Sequence, residues 1–214
     1  FFCAICEKHA RPQSVAPARL PRATAFNQYV EVDILVYKRG IYILHFLDTF
    51  SRLSVTCVLP DRSARSIIDA FLICWVSLFG PPRKLAYDQE GGFISDEFIH
   101  LANEINVELF ACGTDMHNMI GAVERGNSIL ELAIDKAKES APSQTPFTRV
   151  VALATAAKNG VPGPSGPSSQ EVVFGPNFIA PISQNPSYRD CVNERLRVIE
   201  NTRASLVSYD ARRV

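Results

Sequence analysis

The chain has 214 residues, with 22 basic and 22 acidic side chains and 47% hydrophobic residues. This length can bury a core without disulfides, and the zero net charge excludes a generally basic nucleic-acid binder, although not a local basic patch. The six cysteines are scattered, which favours a reducing, intracellular protein over a disulfide scaffold. The longest apolar run, 67–79, is shorter than the about 20 residues of a membrane span, so no membrane partner is expected.

Three strands are predicted in the first third of the chain, after an extended, proline-containing segment. Residues 28–37, 41–48 and 54–60 are rich in β-branched and aromatic residues. Short links between them favour an antiparallel meander.

A helix is predicted next, over residues 63–80, with a cap at Ser63 and an apolar stripe at helical spacing. The stripe consists of Ile67, Phe71, Trp75 and Leu78. Next come a short strand (84–87) and a helix (95–105) that Ser95 can cap. A strand (107–112) and a long helix (about 122–138) follow, and Val123, Leu130 and Ile134 of the long helix are predicted to face inward. This order predicts an α/β fold, with helices packed on the faces of a mixed sheet.

Three acids stand at the edges of these predicted elements. Asp33 lies within the first strand, Asp88 ends the fourth, and Glu124 begins the long helix. Each alone has an ordinary interpretation, as a solvent-facing strand residue, a turn residue or an acid favoured by the helix dipole. Together they suggest a shared cation, because a buried unpaired carboxylate is costly. Oxygen ligands favour Mg²⁺ or Mn²⁺ over zinc, and two such ions could assist phosphoryl transfer.

The motifs around these acids resemble those of retroviral and retrotransposon integrases. The stretches "VEVDILVY", "HFLDTFSRLSVTCVLPDRSA", "FGPPRKLAYDQEGGFISDEF" and "GAVERGNSIL" follow that family's order, and 35 residues separate Asp88 from Glu124. The resemblance runs at least from residue 31 to about residue 134. It is closest to copia-like or gypsy-like long-terminal-repeat elements, and the choice between these two stays open.

The resemblance implies an RNase H-like fold, with a mixed five-stranded sheet flanked by helices. It implies that Asp33, Asp88 and Glu124 are the catalytic residues and the ligands of two Mg²⁺ or Mn²⁺ ions. Asn127 would support the site or touch DNA, whereas Asp48 occupies a family-typical position that is not a ligand. Further candidates for contact with DNA are Arg125, His117, Asn118 and Lys84.

The resemblance also implies three regions. Residues 1–22 would be the end of an N-terminal zinc-binding module and a linker, 23–180 the catalytic core, and 181–214 a C-terminal linker and polar helix. Cys3 and Cys6 would be remnant zinc ligands whose histidine partners precede Phe1. We therefore expect zinc in the full-length module and no stable zinc binding by this segment.

The function that the resemblance implies is metal-dependent polynucleotidyl transfer. The enzyme would process the 3′ ends of retrotransposon DNA and join them to target DNA in the nucleus, as a homo-oligomer. One alternative is another RNase H-like nuclease or transposase. A second is a degenerate core that binds DNA or a partner without catalysis. Two departures from the family pattern favour the second: Glu90 in place of a turn glycine and Ile120 in place of a polar residue.

Overall fold

A five-stranded mixed sheet forms the centre of the protein. The computed structural model describes residues 23–88, 92–112, 121–163, 166–175 and 197–207. The strand order is β3-β2-β1-β4-β5. The strands are β1 (Tyr29–Tyr37), β2 (Ile41–Asp48), β3 (Ser54–Leu59), β4 (Lys84–Asp88) and β5 (Glu108–Cys112).

The sheet has an antiparallel half and a parallel half. β1 pairs with β2, and β2 with β3, in antiparallel register, which confirms the predicted meander. β1 pairs with β4, and β4 with β5, in parallel register. The short strand β4 pairs with the first half of β1, where Val32 lies opposite Tyr87. The end of β4 therefore lies beside the middle of β1.

Helices cover both faces of the sheet. The helix α1 runs through three consecutive segments, Ala64–Phe71, a π-helical Leu72–Val76, and Ser77–Phe79. The remaining helices are α2 (Asp96–Glu104), α3 (Gly121–Ser140), α4 (Phe147–Asn159), α5 (Ser169–Phe174) and α6 (197–207). The described helices include none long and apolar enough to cross a membrane.

The apolar stripe of α1 departs from the prediction at its last member. Ile67, Phe71 and Trp75 are fully buried, as predicted, but Leu78 is 67% exposed. The reason is the π-helical segment, which widens the helix by one residue per turn and rotates the positions after it. Phe79 takes the predicted place of Leu78, with its ring centroid 5.1 Å from that of Trp75.

Two apolar clusters lie on opposite faces of the sheet. One contains the buried side chains of α1 and α2, and the other those of α3, α4 and α6. Val123, Leu130 and Ile134 of α3 are fully buried, as predicted. The helix α4 was not predicted, because its N-cap residue is Pro146, which has no side chain that can cap the helix. Its apolar run gives no clear start signal.

Candidate active site

The sheet brings Asp33 and Asp88 side by side. Asp33 lies on β1 one position beyond Val32, and Asp88 lies on β4 one position beyond Tyr87, the residue that pairs with Val32. Both side chains are half-buried. The negative charge of Asp88 contributes to the raised pKa of Asp33. Two acids that are 55 positions apart in the chain therefore share one site.

Hydrogen bonds hold the Asp33 carboxylate in one orientation. Its Oδ1 accepts a bond from the backbone N–H of Ile34 at 2.8 Å, and its Oδ2 accepts one from Asn127 Nδ2 at 2.6 Å. Burial raises the pKa of Asp33, these two donors lower it in part, and the charge of Asp88 raises it further. A cation bound between Asp33 and Asp88 would relieve the repulsion between the two carboxylates.

The helix α3 is attached to β1 on both sides of Glu124. Before Glu124, the backbone N–H groups of Ala122 and Val123 donate to Glu31 Oε2 at 3.1 and 2.8 Å. After it, Asn127 donates to Asp33. Glu124 itself is exposed in the first turn. The structure thus places the first turn of α3 beside the strand that carries Asp33.

Glu31 is a site residue that the sequence analysis did not identify. Only 4% of it is exposed, and it accepts two amide hydrogens from the positive end of α3. Burial raises the pKa of the Glu31 carboxyl to about 7, although the two hydrogen bonds act in the opposite direction. The signal was present, because an acid within an apolar strand two positions before Asp33 must face the same side of the sheet.

The donor set fits a hard divalent cation. Asp33 and Asp88 offer carboxylate oxygens, which suit Mg²⁺ or Mn²⁺. A bound cation would offset the repulsion between these two carboxylates, which favours its binding. Among the described residues, however, no three histidine, cysteine, aspartate or glutamate side chains lie close enough together to hold a metal ion. The structure therefore brings together two of the three predicted ligands and places the helix turn of the third nearby.

The other predicted site residues have different positions. Arg125 is exposed in the first turn of α3. Lys84 begins β4, at the opposite end from Asp88, and its Nζ lies 2.8 Å from Glu108 Oε1. The remaining predicted residues lie outside the described ranges; they are Cys3, Cys6, His117 and Asn118.

Asp48 organises the turn after β2. It is fully buried, its Oδ2 accepts bonds from the backbone and hydroxyl of Ser51, and its Oδ1 accepts one from the backbone of Asn27. All three bonds are local to this end of the sheet. Asp48 therefore has a structural role among the described residues.

Acidification is expected to destabilise the protein through His45. Burial, aided by the charge of Lys158, lowers the pKa of His45 from 6.5 to about 3. Between pH 3 and pH 6.5 the unfolded chain binds a proton at His45 and the folded chain does not. The free energy of unfolding is therefore unaffected by His45 above pH 6.5 and decreases as the pH falls towards 3. Urea unfolding of the wild type and a His45→Asn variant between pH 7 and 5 measures this effect. The wild type should lose stability relative to the variant by up to about 1.4 kcal/mol per pH unit, and parallel curves would contradict the expectation.

Sequence comparison relates this chain to integrases. Residues 23–115 match the family profile described as "Integrase core domain". The chain is also similar to the Gag-Pro-Pol polyprotein of bovine leukemia virus (isolate Australian), with 26% identity over 156 residues. That match covers 72% of this chain and 11% of the polyprotein, so the chain spans only a small part of this relative.

Solved structures share the fold. The HTLV-2 integrase catalytic core domain in complex with magnesium (trimeric form) superposes with a TM-score of 0.62 at 23% identity, covering 71% of this chain and 99% of that one. The simian T-cell lymphotropic virus intasome in complex with PP2A regulatory subunit B56 gamma gives 0.68 at 21% identity, covering 86% and 67%. The predicted RNase H-like fold is confirmed.

Proposed function

We propose that this chain, whose residues 23–115 match the integrase core domain profile, is the catalytic core of an integrase from a long-terminal-repeat retrotransposon. Its reaction is metal-dependent polynucleotidyl transfer. The observation that carries this proposal is the position of Asp33 and Asp88, each one residue beyond the paired Val32 of β1 and Tyr87 of β4. The hydrogen bonds of Glu31 and Asn127, which hold the first turn of α3 beside them, support it.

Two successive reactions at one site make up the proposed activity. In end processing, a water oxygen attacks a phosphodiester near the 3′ end of the element DNA, and a short fragment leaves with breakage of the P–O3′ bond. In strand transfer, the new 3′-hydroxyl attacks a phosphodiester of the target DNA, and a target 3′-oxygen leaves. Each step forms one P–O bond and breaks one, so the number of phosphodiester bonds is conserved in the second step.

The acids of this chain would bind and orient the cations that the reaction needs. Asp33, Asp88 and Glu124 would hold Mg²⁺ or Mn²⁺, and a pair of such ions lowers the pKa of the attacking oxygen and stabilises charge on the leaving oxygen. Asn127 and the N–H of Ile34 hold the Asp33 carboxylate in place. A fixed carboxylate needs no rearrangement when charge develops in the transition state.

The proposed partners are element DNA, target DNA and further copies of the chain. Contacts to phosphates should dominate, because insertion has to tolerate many target sequences. The similarity to an intasome and to dimeric and trimeric integrase cores supports this part of the proposal. We also propose that the protein acts in the nucleus, where the target DNA is.

Resealing of a branched DNA that mimics the strand-transfer product tests the proposal. We expect the chain to reseal it with Mn²⁺ or Mg²⁺, and to stop when EDTA removes the metal. Resealing without metal would contradict the proposed chemistry. Cleavage without any joining would favour the alternative of an RNase H-like nuclease, because only a transferase uses a 3′-hydroxyl as the nucleophile.

A further inference from the structure

A network of hydrogen bonds runs through the protein interior and ends on Asp33. Asn127 donates from Nδ2 to Asp33 Oδ2 at 2.6 Å, and its Oδ1 lies 2.6 Å from His45 Nδ1. On the other side of the imidazole, His45 Nε2 lies 2.8 Å from Ser54 Oγ. Lys158 Nζ donates to that same oxygen at 2.6 Å. His45, Asn127 and Ser54 are all buried.

The Asp33 end of this network, together with a neutral imidazole, determines the direction of every bond. A carboxylate can only accept, so Asn127 donates from Nδ2 to Asp33 and presents Oδ1 to His45. His45 therefore carries its proton on Nδ1, and its unprotonated Nε2 accepts the hydrogen of Ser54 Oγ. An ammonium group can only donate, so the same serine oxygen accepts from Lys158 Nζ. Burial keeps the imidazole neutral, as this pattern requires.

We propose that His45 is a positioning residue for the transfer reaction: its Nδ1–H fixes the side-chain amide of Asn127, and the amide in turn fixes the carboxylate of Asp33. This inference rests on the proposed function. Without the donor on His45, Oδ1 of Asn127 has no partner on the His45 side, and the amide is no longer held in the plane that directs Nδ2 at the carboxylate. The Asp33 carboxylate would then be held less firmly.

The surroundings of His45 support a fixed imidazole. The helix α3 approaches β2 so closely that a Cβ on Gly126 would lie 3.0 Å from His45 Cε1. Two hydrogen bonds to Asn159 hold the backbone of Ser54. Asn159 Oδ1 accepts from the Ser54 backbone N–H, and Asn159 Nδ2 donates to the Ser54 carbonyl. The imidazole is therefore confined by a glycine on one side and by a fixed hydroxyl on the other.

Two substitutions of His45 by an amide side chain distinguish a role of Nδ1 as a hydrogen-bond donor from a role in packing alone. In His45→Asn, the amide nitrogen is as many bonds from Cβ as Nδ1 is, so it can still donate to Asn127. In His45→Gln, the amide nitrogen corresponds to Nε2, and nothing replaces Nδ1. Glutamine is the larger of the two, so a role in packing alone would favour His45→Gln. A role as donor favours His45→Asn. His100→Gln, at an exposed histidine of α2, is the control.

The resealing reaction with Mn²⁺ gives the first readout. We expect His45→Asn to keep kcat within about threefold of the wild type, and His45→Gln to lower kcat by about 10- to 100-fold, the usual effect of losing a residue that orients a metal-binding group. KM for the branched DNA should stay unchanged in both, because His45 is fully buried and cannot contact DNA. Ser54→Ala, which removes only the hydroxyl that selects the tautomer, should lower kcat in the same direction.

Nitrogen-15 NMR of the unmutated chain gives a second readout that does not need activity. The expected result is a neutral His45 with its proton on Nδ1, and an Asn127 side-chain amide signal that shifts in His45→Gln but not in His45→Asn. A proton on Nε2, equal kcat in the two His45 variants, or an unchanged kcat in Ser54→Ala would each overturn the inference. If the wild type fails to reseal DNA, the proposed function fails, and the NMR result still decides the arrangement of His45 and Asn127.

Discussion

Replacing Asp88 with asparagine is expected to lower the rate of DNA resealing by at least about a thousandfold. A neutral amide is a poor ligand for a hard cation, and each 1.36 kcal/mol of lost transition-state stabilisation lowers the rate tenfold. Asparagine has nearly the same shape as aspartate, and Asp88 is half-buried at the end of β4. The fold should therefore survive. Single-turnover resealing with Mn²⁺ measures the rate, and the circular dichroism spectrum checks the fold.

An exposed acid provides the matched control for Asp88. Asp69 lies on the exposed face of α1, and Asp69→Asn makes the same loss of charge away from the site. We expect it to reseal DNA at the rate of the wild type. If Asp88→Asn keeps more than a tenth of the wild-type rate, the chemistry does not depend on the pair of acids on β1 and β4. If neither the wild type nor the variants act, although the wild type binds Mn²⁺, the chain is a non-catalytic core.

The Glu31→Ala substitution is expected to destabilise the protein by about 2 kcal/mol and to lower activity at least tenfold. It leaves the N–H groups of Ala122 and Val123 without the acceptor that they have on β1, and an unsatisfied buried donor costs about 1 to 3 kcal/mol. The freed first turn of α3 carries Glu124, so the effect should extend to the reaction. Urea unfolding and resealing with Mn²⁺ measure the two effects.

Glu31→Gln separates the acceptor from its charge. The amide oxygen of glutamine can accept the same two hydrogens, and a neutral amide avoids the cost of burying a charge, the cost that raises the pKa of Glu31 to about 7. We expect this variant to be as stable as the wild type within about 1 kcal/mol and to keep most of the activity. If Glu31→Gln is as damaging as Glu31→Ala, the charge of Glu31 matters more than its position as an acceptor.

Much of the fold was predictable because its signals are local. Alternating and β-branched runs predicted all five strands, and β2 begins and ends at the predicted residues. Serine caps at Ser63 and Ser95 marked the starts of α1 and α2, and both accept the expected backbone bond. Two of the errors also have local causes: α4 has no side-chain cap, and a π-helical segment moves Leu78 out of the core.

The site was predictable only in part. The type and spacing of Asp33, Asp88 and Glu124 indicate the chemistry, because the motifs around them resemble those of integrases. The residues that hold those acids gave weaker signals. His45 lies within the apolar strand β2, and nothing in its neighbourhood along the chain indicates a polar network.

The sequence by itself determined which side chains could bind a metal, which segments form the five strands and the helices α1, α2 and α3, and which family the motifs resemble. These properties depend on residue type and on periods of two to four residues. Only the tertiary structure decided how the acids are held. His45 meets Asn127 across 82 positions, and Asn127 meets Asp33 across 94. Such contacts depend on how closely α3 packs against β1 and β2, and that distance is set by the whole core.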